Sequence, residues 1–417
     1  MKNIRKFKYL IVILIVVSGS LSAFSNTIDP FGTFDNTALV RSDGTGLIKL
    51  APIVDVEFAQ NFLILDNLNA LLNEEEITIN ATTMENAIRN GMHLSMPIEI
   101  GAYGNLNLFG FNVVPYLIAD GKLSVNLPKT FSEILFSDTK LEDTIEGSVT
   151  DFVRSNIKMN LGIGLVYNNF FIDTNFFVPV VYSVQDKMYA HTSYTSSSSP
   201  TNVNVEFDSR IILVGNTNFG DIGEKLSDPI AISNETLDAI LQGIAGFKIS
   251  LGYGNDNWGL AVNDITIKSA QAKYGMEVSA NGSVNYSAEN TVITTDATYT
   301  LSEPEFYQLL EPLQINTPIK LTGYYKSDDF FMWGLAGMYS FDGDWATDAY
   351  VGINLQMFKM YYMMEFAPNV YANTLGFGFN FGLINSELQL TMTSDSFSPL
   401  GSSTPGFGVH LKVGAGF

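Results

Sequence analysis

The chain has no cysteine in its 417 residues and little basic charge: 22 Lys and Arg stand against 43 Asp and Glu, a formal net charge of −21. The missing thiols exclude disulfide frameworks, thiolate metal sites and cysteine nucleophiles, together with a lipidated N-terminal cysteine. The shortage of cations excludes a nucleic-acid partner, because phosphates are held by clustered Lys and Arg. Histidine is scarce too. His93, His191 and His410 stand far apart, with no pair at the i, i+4 spacing that binds a metal. No G-x-S-x-G, P-loop or Rossmann fingerprint sits in its required strand–helix context. No catalytic residue, cofactor or metal is therefore expected, and the chain reads as a non-enzyme. Long apolar runs are also lacking after the first two dozen residues, although 46% of the chain is hydrophobic and only 16% charged. If the mature chain lies in a membrane, it must do so as a β-barrel, since no later segment suits a transmembrane helix.

The first segment reads as an address. Lys2, Arg5, Lys6 and Lys8 precede the apolar run Tyr9 to Val17, and small residues follow in SGSLSAFS. This predicts a secretory signal over 1–25, cut after Ala23 or Ser25. A retained anchor is the alternative, but the run falls short of the ~20 residues that cross a bilayer. Residues 26–46, with Pro30 and several Gly and Asp, are expected as a short periplasmic or lumenal segment, too small for a plug domain.

From there to the end, 47–417, the dominant pattern is alternation. Ile157, Met159, Leu161, Ile163, Leu165 and Tyr167 oppose Asn156, Lys158, Asn160, Gly162 and Gly164. Residues 247–254 and 375–383 repeat the pattern. Period two is the strand signal. A soluble sandwich also alternates. Here, though, many strands reach the ten or so residues a tilted strand needs to cross a bilayer, and the face opposite the bulky one is Gly-, Asn- and Ser-rich. The predicted class is all-β: a transmembrane antiparallel β-barrel of about 14 strands, with short helices in the extracellular loops. The expected strands lie at about 47–58, 93–103, 106–118, 157–167, 170–182, 247–254, 258–268, 319–326, 330–341, 347–357, 359–366, 371–383, 386–393 and 405–417.

If the last strand ends on the periplasmic side, all the short turns fall inside. They are Gly104-Asn105, Asn168-Asn169, the stretch around Asn255, Ser327 to Asp329, Phe358 and Ile384-Asn385. The long connections 59–92, 119–156, 183–246, 269–318 and 394–404 then fall outside, as in outer-membrane barrels. Outward aromatics form one ring from Tyr167, Phe170, Tyr253, Trp258, Tyr325, Phe331 and Phe417. Tyr182, Phe247, Tyr339, Phe341, Phe366 and Phe407 form the other, both at headgroup level. The last strand, amphipathic and ending in Phe417, resembles the C-terminal signal read by outer-membrane insertion machinery, which makes that machinery an expected partner along with outer-membrane lipid.

Three loop segments carry apolar residues at helical spacing: 61–73, Glu235 to Gly246 capped by Ser233 or Asn234, and 304–313. Each reads either as a helix covering the barrel mouth or as part of an apolar groove or lid. Residues 187–210 and 275–300 read as mobile loops or as strand extensions beyond the bilayer. Lys158, Lys248 and Lys320 face inward at the outer ends of their strands, with Arg154 just above. They read either as ordinary salt-bridge partners or as capture sites for an anionic headgroup. Lower down, Lys359, Glu365, Glu387 and Lys412 read as structural lumen pairs.

The strand count, the apolar loop insertions and the inward cations resemble the outer-membrane long-chain fatty-acid transport family (FadL type) of diderm bacteria. The likeness is architectural; the Asn-Pro-Ala stretch of that family is missing, with DNTALV at 35–40 loosely in its place. The resemblance implies an apolar ligand that binds a loop groove, enters the lumen and leaves through the wall. It makes Leu241, Phe306 and Leu309 groove candidates and Arg154, Lys158, Lys248 and Lys320 headgroup candidates. The functional expectation is passive uptake of hydrophobic or amphipathic small molecules such as long-chain fatty acids. The alternatives are a surface adhesin or antigen acting through its long loops, and a general diffusion porin.

Overall fold

A computed structural model describes residues 48–60, 91–108, 110–128, 145–150, 152–198, 201–220, 229–255, 257–289, 292–327, 329–355, 357–367, 370–380, 384–394 and 406–415. The expected signal over 1–25, the segment 26–46, the helix at 61–73 and Phe417 lie outside them. The described residues form one antiparallel sheet of twenty strands. In chain order these are β1 (Ile48–Gln60), β2 (Gly91–Leu108), β3 (Phe111–Pro128), β4 (Ile145–Val149), β5 (Val153–Tyr167) and β6 (Phe170–Ser183). Next come β7 (Tyr189–Ser198), β8 (Thr201–Gly215), helix α1 (Pro229–Leu241), β9 (Gly246–Gly254), β10 (Trp258–Lys268), β11 (Ala270–Glu289), β12 (Val292–Leu301) and β13 (Glu305–Ile315). The chain ends with β14 (Lys320–Ser327), β15 (Phe331–Ser340), β16 (Trp345–Asn354), β17 (Phe358–Ala367), β18 (Val370–Asn380), β19 (Ile384–Ser394) and β20 (Gly406–Ala415).

The pairings divide these strands into two regions. One runs from β1 to β2, β3, β5, β6, β9, β10 and β14, then strand by strand to β20. β20 pairs back with β1, Val54 opposite Val413. The other region is an outer sheet in the order β4, β7, β8, β11. The far edge of β11 is shared: its first half pairs with β13 and its second half with β12. The outer sheet occupies the excursions that the chain makes between β3 and β5, β6 and β9, and β10 and β14, so the expected strand extensions at 187–210 and 275–300 are ladders. Residues 304–313 are strand β13, not a helix. The long free edge of β11 offers a backbone ladder, which outweighs a weak helical periodicity in a segment that also carries Pro312.

Turn chemistry sets the registers. Asn168 and Asn169 both adopt positive φ, 47° and 68°, the two-residue turn that matches strand twist. Asn255 Oδ1 accepts from the backbone N–H of Asn257 and of Trp258, each at 2.9 Å, closing the β9–β10 turn. The expected turn at Gly104-Asn105 is strand instead. β2 and β3 stay paired to Leu108 opposite Phe111, and the chain reverses through Gly110, whose φ of +84° suits glycine. The β16–β17 reversal falls just before Phe358, not on it.

Burial alternates with the pleat, but with its usual sense reversed. In β5, Gly162, Gly164 and Val166 are buried while Ile163, Leu165 and Tyr167 are exposed. In β15, Met332, Gly334 and Ala336 are buried while Phe331, Trp333 and Leu335 are exposed, Phe331 by 70%. The exposed aromatics touch along one end of the strands: Phe111 with Tyr167, Phe170 with Tyr253, Tyr253 with Trp258, and Tyr325 with Trp333. Tyr182, expected in the other ring, is buried instead. A register shift between Ile157 and Lys158 flips the parity of β6 beyond Pro179. Tyr182 joins the apolar core of the outer sheet with Phe152, Phe177, Met188, Ile212 and Val214.

Candidate functional site

The inward face of the strands is polar. Lys158, Asn160, Asp173, Asn175 and Lys248 are each only 4% exposed, and Asn263, Asp348, Thr374 and Glu387 only 1%. Buried polar groups require partners, and here they come from neighbouring strands. The Lys158 ammonium on β5 donates to Asp120 on β3 at 3.0 Å. Lys248 on β9 donates to Asp264 on β10, and Lys320 on β14 lies 3.8 Å from the same carboxylate. Asn160 donates to Asp120 and to the Ile118 carbonyl. Tyr116 donates to Asp173 at 2.7 Å, and Asn175 donates to the Tyr116 hydroxyl at 2.9 Å.

A β-bulge positions the most connected carboxylate. In β10 the pairing with β9 slips between Val262 and Ile265, and Asp264 takes a φ of 62°. Successive strand residues normally face opposite ways, yet Asn263 and Asp264 are both buried, because the extra residue turns Asp264 inward. Aspartate is among the few side chains that tolerate the left-handed region, and the Ser250 hydroxyl accepts its backbone N–H at 3.1 Å. Backbone held in this way marks a site that the surrounding structure has over-determined.

Register aligns further charged positions across the neighbouring strands. Lys359, Gly378, Glu387, Lys412, Asp55, Glu99, Asp120 and Lys158 are successive cross-strand partners on β17 to β20 and β1, β2, β3 and β5. Within that row the three acidic positions Asp55, Glu99 and Asp120 stand directly side by side. Glu387 accepts from Tyr361 and, at 3.0 Å, from Gln389. Where β2, β3, β5, β6, β9 and β10 come together lies a small recess of about 30 Å³, lined by Glu99, Tyr116, Asp120, Asn160, Asp173 and Asn175 together with Lys248, Ser250 and Asp264.

The glycines of the inward face are covered. Tyr116 lies over Gly162, Tyr324 over Gly259, Tyr350 over Gly334 and Tyr361 over Gly376, each pair directly opposite in register. A Cβ at Gly376 would stand 2.0 Å from the Tyr361 ring. The inward glycines thus hold flat aromatic rings against the wall, rather than leaving the interior sparsely filled.

Of the seven residues singled out from sequence, the structure gathers three. Lys158, Lys248 and Lys320 converge on Asp120 and Asp264. Arg154 is farther out, 3.2 Å from Asp344 in the β15–β16 turn. The groove candidates separate. Leu309 packs against the apolar core of the outer sheet, Phe306 is 49% exposed on β13, and Leu241 is 84% exposed at the end of α1. Helix α1 begins earlier than its expected caps, and it is Ile240 and Ile244 that pack against Val178. Sequence reasoning passed over Asp120, Asp173, Asn175 and Asp264. Simple parity could have found Asp173 and Asn175 opposite Gly164 and Gly162, but Asp264 lies inward only because of the bulge.

No family model and no curated protein matches the chain. Among solved structures, a triple mutant of Rhodopseudomonas blastica porin aligns at 10% identity, covering 89% of this chain and 99% of that one, with a TM-score of 0.26. OccAB3 of Acinetobacter baumannii aligns at 6% identity over 89% and 98%, with a TM-score of 0.24. At such scores neither likeness says how this chain is built or what it passes; that rests on its own pairings and burial.

Proposed function

We propose that this chain is an outer-membrane β-barrel of fourteen strands, closed by the β1–β20 pairing, whose polar interior conducts small hydrophilic solutes by passive diffusion. The observation that carries this reading is the reversed burial. Large apolar side chains such as Phe170, Leu260, Phe331 and Leu335 are more than half exposed on the outward face, while lysines and aspartates are buried on the inward one. In water the outward face would be an apolar patch far larger than a monomer tolerates; in lipid it is the expected surface. A closed ring leaves no open sheet edge, the condition for crossing hydrocarbon.

The inward face supports polar cargo over fatty acids. A fatty-acid headgroup needs an available cation, and Lys158 and Lys248 already hold Asp120 and Asp264 at very low exposure. Of the apolar candidates, Leu309 is packed against the outer-sheet core while Leu241 and Phe306 are exposed. Diffusion needs no catalytic group. The full chain, refolded in detergent and added to planar bilayers, is expected to give stepwise conductance and a heat-dependent shift in gel mobility. A chain that stays dissolved without detergent and never conducts overturns the reading. Uptake of labelled fatty acid without ion conductance would restore the apolar alternative.

A further inference from the structure

The recess beside Asp173 carries a property beyond polarity. Its walls offer more acceptors than donors. Asp173 receives Tyr116 and Asn175 through Oδ2, and its other oxygen, Oδ1, has no donor among the described residues. Asn175 spends its amide N–H groups on Tyr116 and Asp173, and Asn160 spends its own on Asp120 and the Ile118 carbonyl. The carbonyl oxygens of both amides are left without a donor, although both residues are 96% buried. These bonds also fix which end of each amide is the oxygen. Three acceptor oxygens without partners in one recess are costly unless a guest supplies positive charge or donors.

A second, independent feature has the same sign. Glu99 and Asp120, both lining the recess, are direct cross-strand neighbours, and like charges in that relation repel. Lys158 and Lys248 are committed to Asp120 and Asp264, whereas Asp173 is hydrogen-bonded by the neutral Tyr116 and Asn175. Among the described residues no three carboxylates or imidazoles are grouped as a metal cage.

We infer that the recess between β5 and β6, formed by Asp173 with the amide oxygens of Asn160 and Asn175, is a binding station for small monovalent cations that makes the channel cation-selective. The inference rests on the channel reading above and names the solute class that the interior favours. A carboxylate and two carbonyl oxygens replace part of an alkali cation's hydration shell, and the buried setting strengthens the attraction. Glu99 and Asp120 in the same lining add to the negative potential there.

The test is the reversal potential of the refolded full chain in planar bilayers under a potassium chloride gradient. The wild type is expected to favour potassium over chloride, and Asp173→Asn to reduce that preference a few-fold. Asn175→Asp, which adds a carboxylate to the same recess, is expected to increase it. The second variant decides the matter if the first fails to insert. A conducting wild type without potassium preference, or an Asn175→Asp channel no more cation-selective than wild type, overturns this inference and leaves the channel standing. A wild type that inserts with the heat-dependent mobility of a folded barrel but carries no current overturns both.

Discussion

The ring strands and the outer sheet are cut from one continuous antiparallel sheet, yet they bury opposite faces. In β5 and β15 of the ring the bulky residues are exposed and the buried face is polar or small, as in Leu165 against Gly164 and Leu335 against Ala336. In the outer sheet Ile212, Val214, Ala270 and Ile315 are buried together with Met188 in one apolar cluster. The same backbone ladder serves both, so hydrogen bonding does not set the difference. On the channel reading proposed above the surrounding solvent does: hydrocarbon rewards apolar groups on the outside, and water rewards them within. Tyr182 and Phe177 sit where one regime gives way to the other, at the outer end of β6, where the register shift turns the chain from one sense of burial to the other.

The sharpest way to break the comparison is to strand a charge in the ring. Lys248→Met leaves Asp264 buried with only the more distant Lys320, and is expected to cost about 3–5 kcal/mol. The double variant Lys248→Met with Asp264→Asn, which keeps a side chain suited to the left-handed φ of 62°, is expected to recover much of that loss. Urea unfolding from detergent or vesicles measures both, and a single variant as stable as wild type would show that the pair is solvated. Next in size, Leu335→Arg places a charge on the lipid side and is expected to cost about 2–4 kcal/mol if it lies near the bilayer midplane. Leu310→Arg, at a fully exposed position of β13, is expected to cost almost nothing. Equal costs for the two would erase the distinction between the regions.

A smaller effect tests the outer sheet as a water-soluble core. Ile212→Val is expected to cost about 0.5–1.5 kcal/mol, read as faster proteolysis of the outer sheet with the ring still folded by gel mobility. Smallest of all is Arg210→Gln. Arg210 makes a two-pronged contact with Glu277 across β8 and β11, 2.7 Å at both bonds, and is 40% exposed. Such a pair in water is worth about 1 kcal/mol or less, and its loss is expected to vanish in high salt. A salt-insensitive cost would place the pair away from solvent.

The sequence by itself determined the strands and which of their faces is bulky. Period-two alternation is local, since side chains on a strand change sides at every residue, and the Asn-Asn and Asn255 turns carry their own conformational preference. It also marked Lys158 and Lys248 as inward. Only the tertiary structure decided the rest, because it depends on partners distant in the chain. Segment 304–313 became a strand when β11 presented a free edge. The turn after β2 moved to Gly110 because the ladder with β3 continued. Tyr182 and Asp264 changed sides at bulges, which no periodicity encodes, since one inserted residue reverses every face beyond it. The aspartates that hold the inward cations, and the recess around Asp173, likewise exist only once β3, β5, β6, β9 and β10 lie side by side.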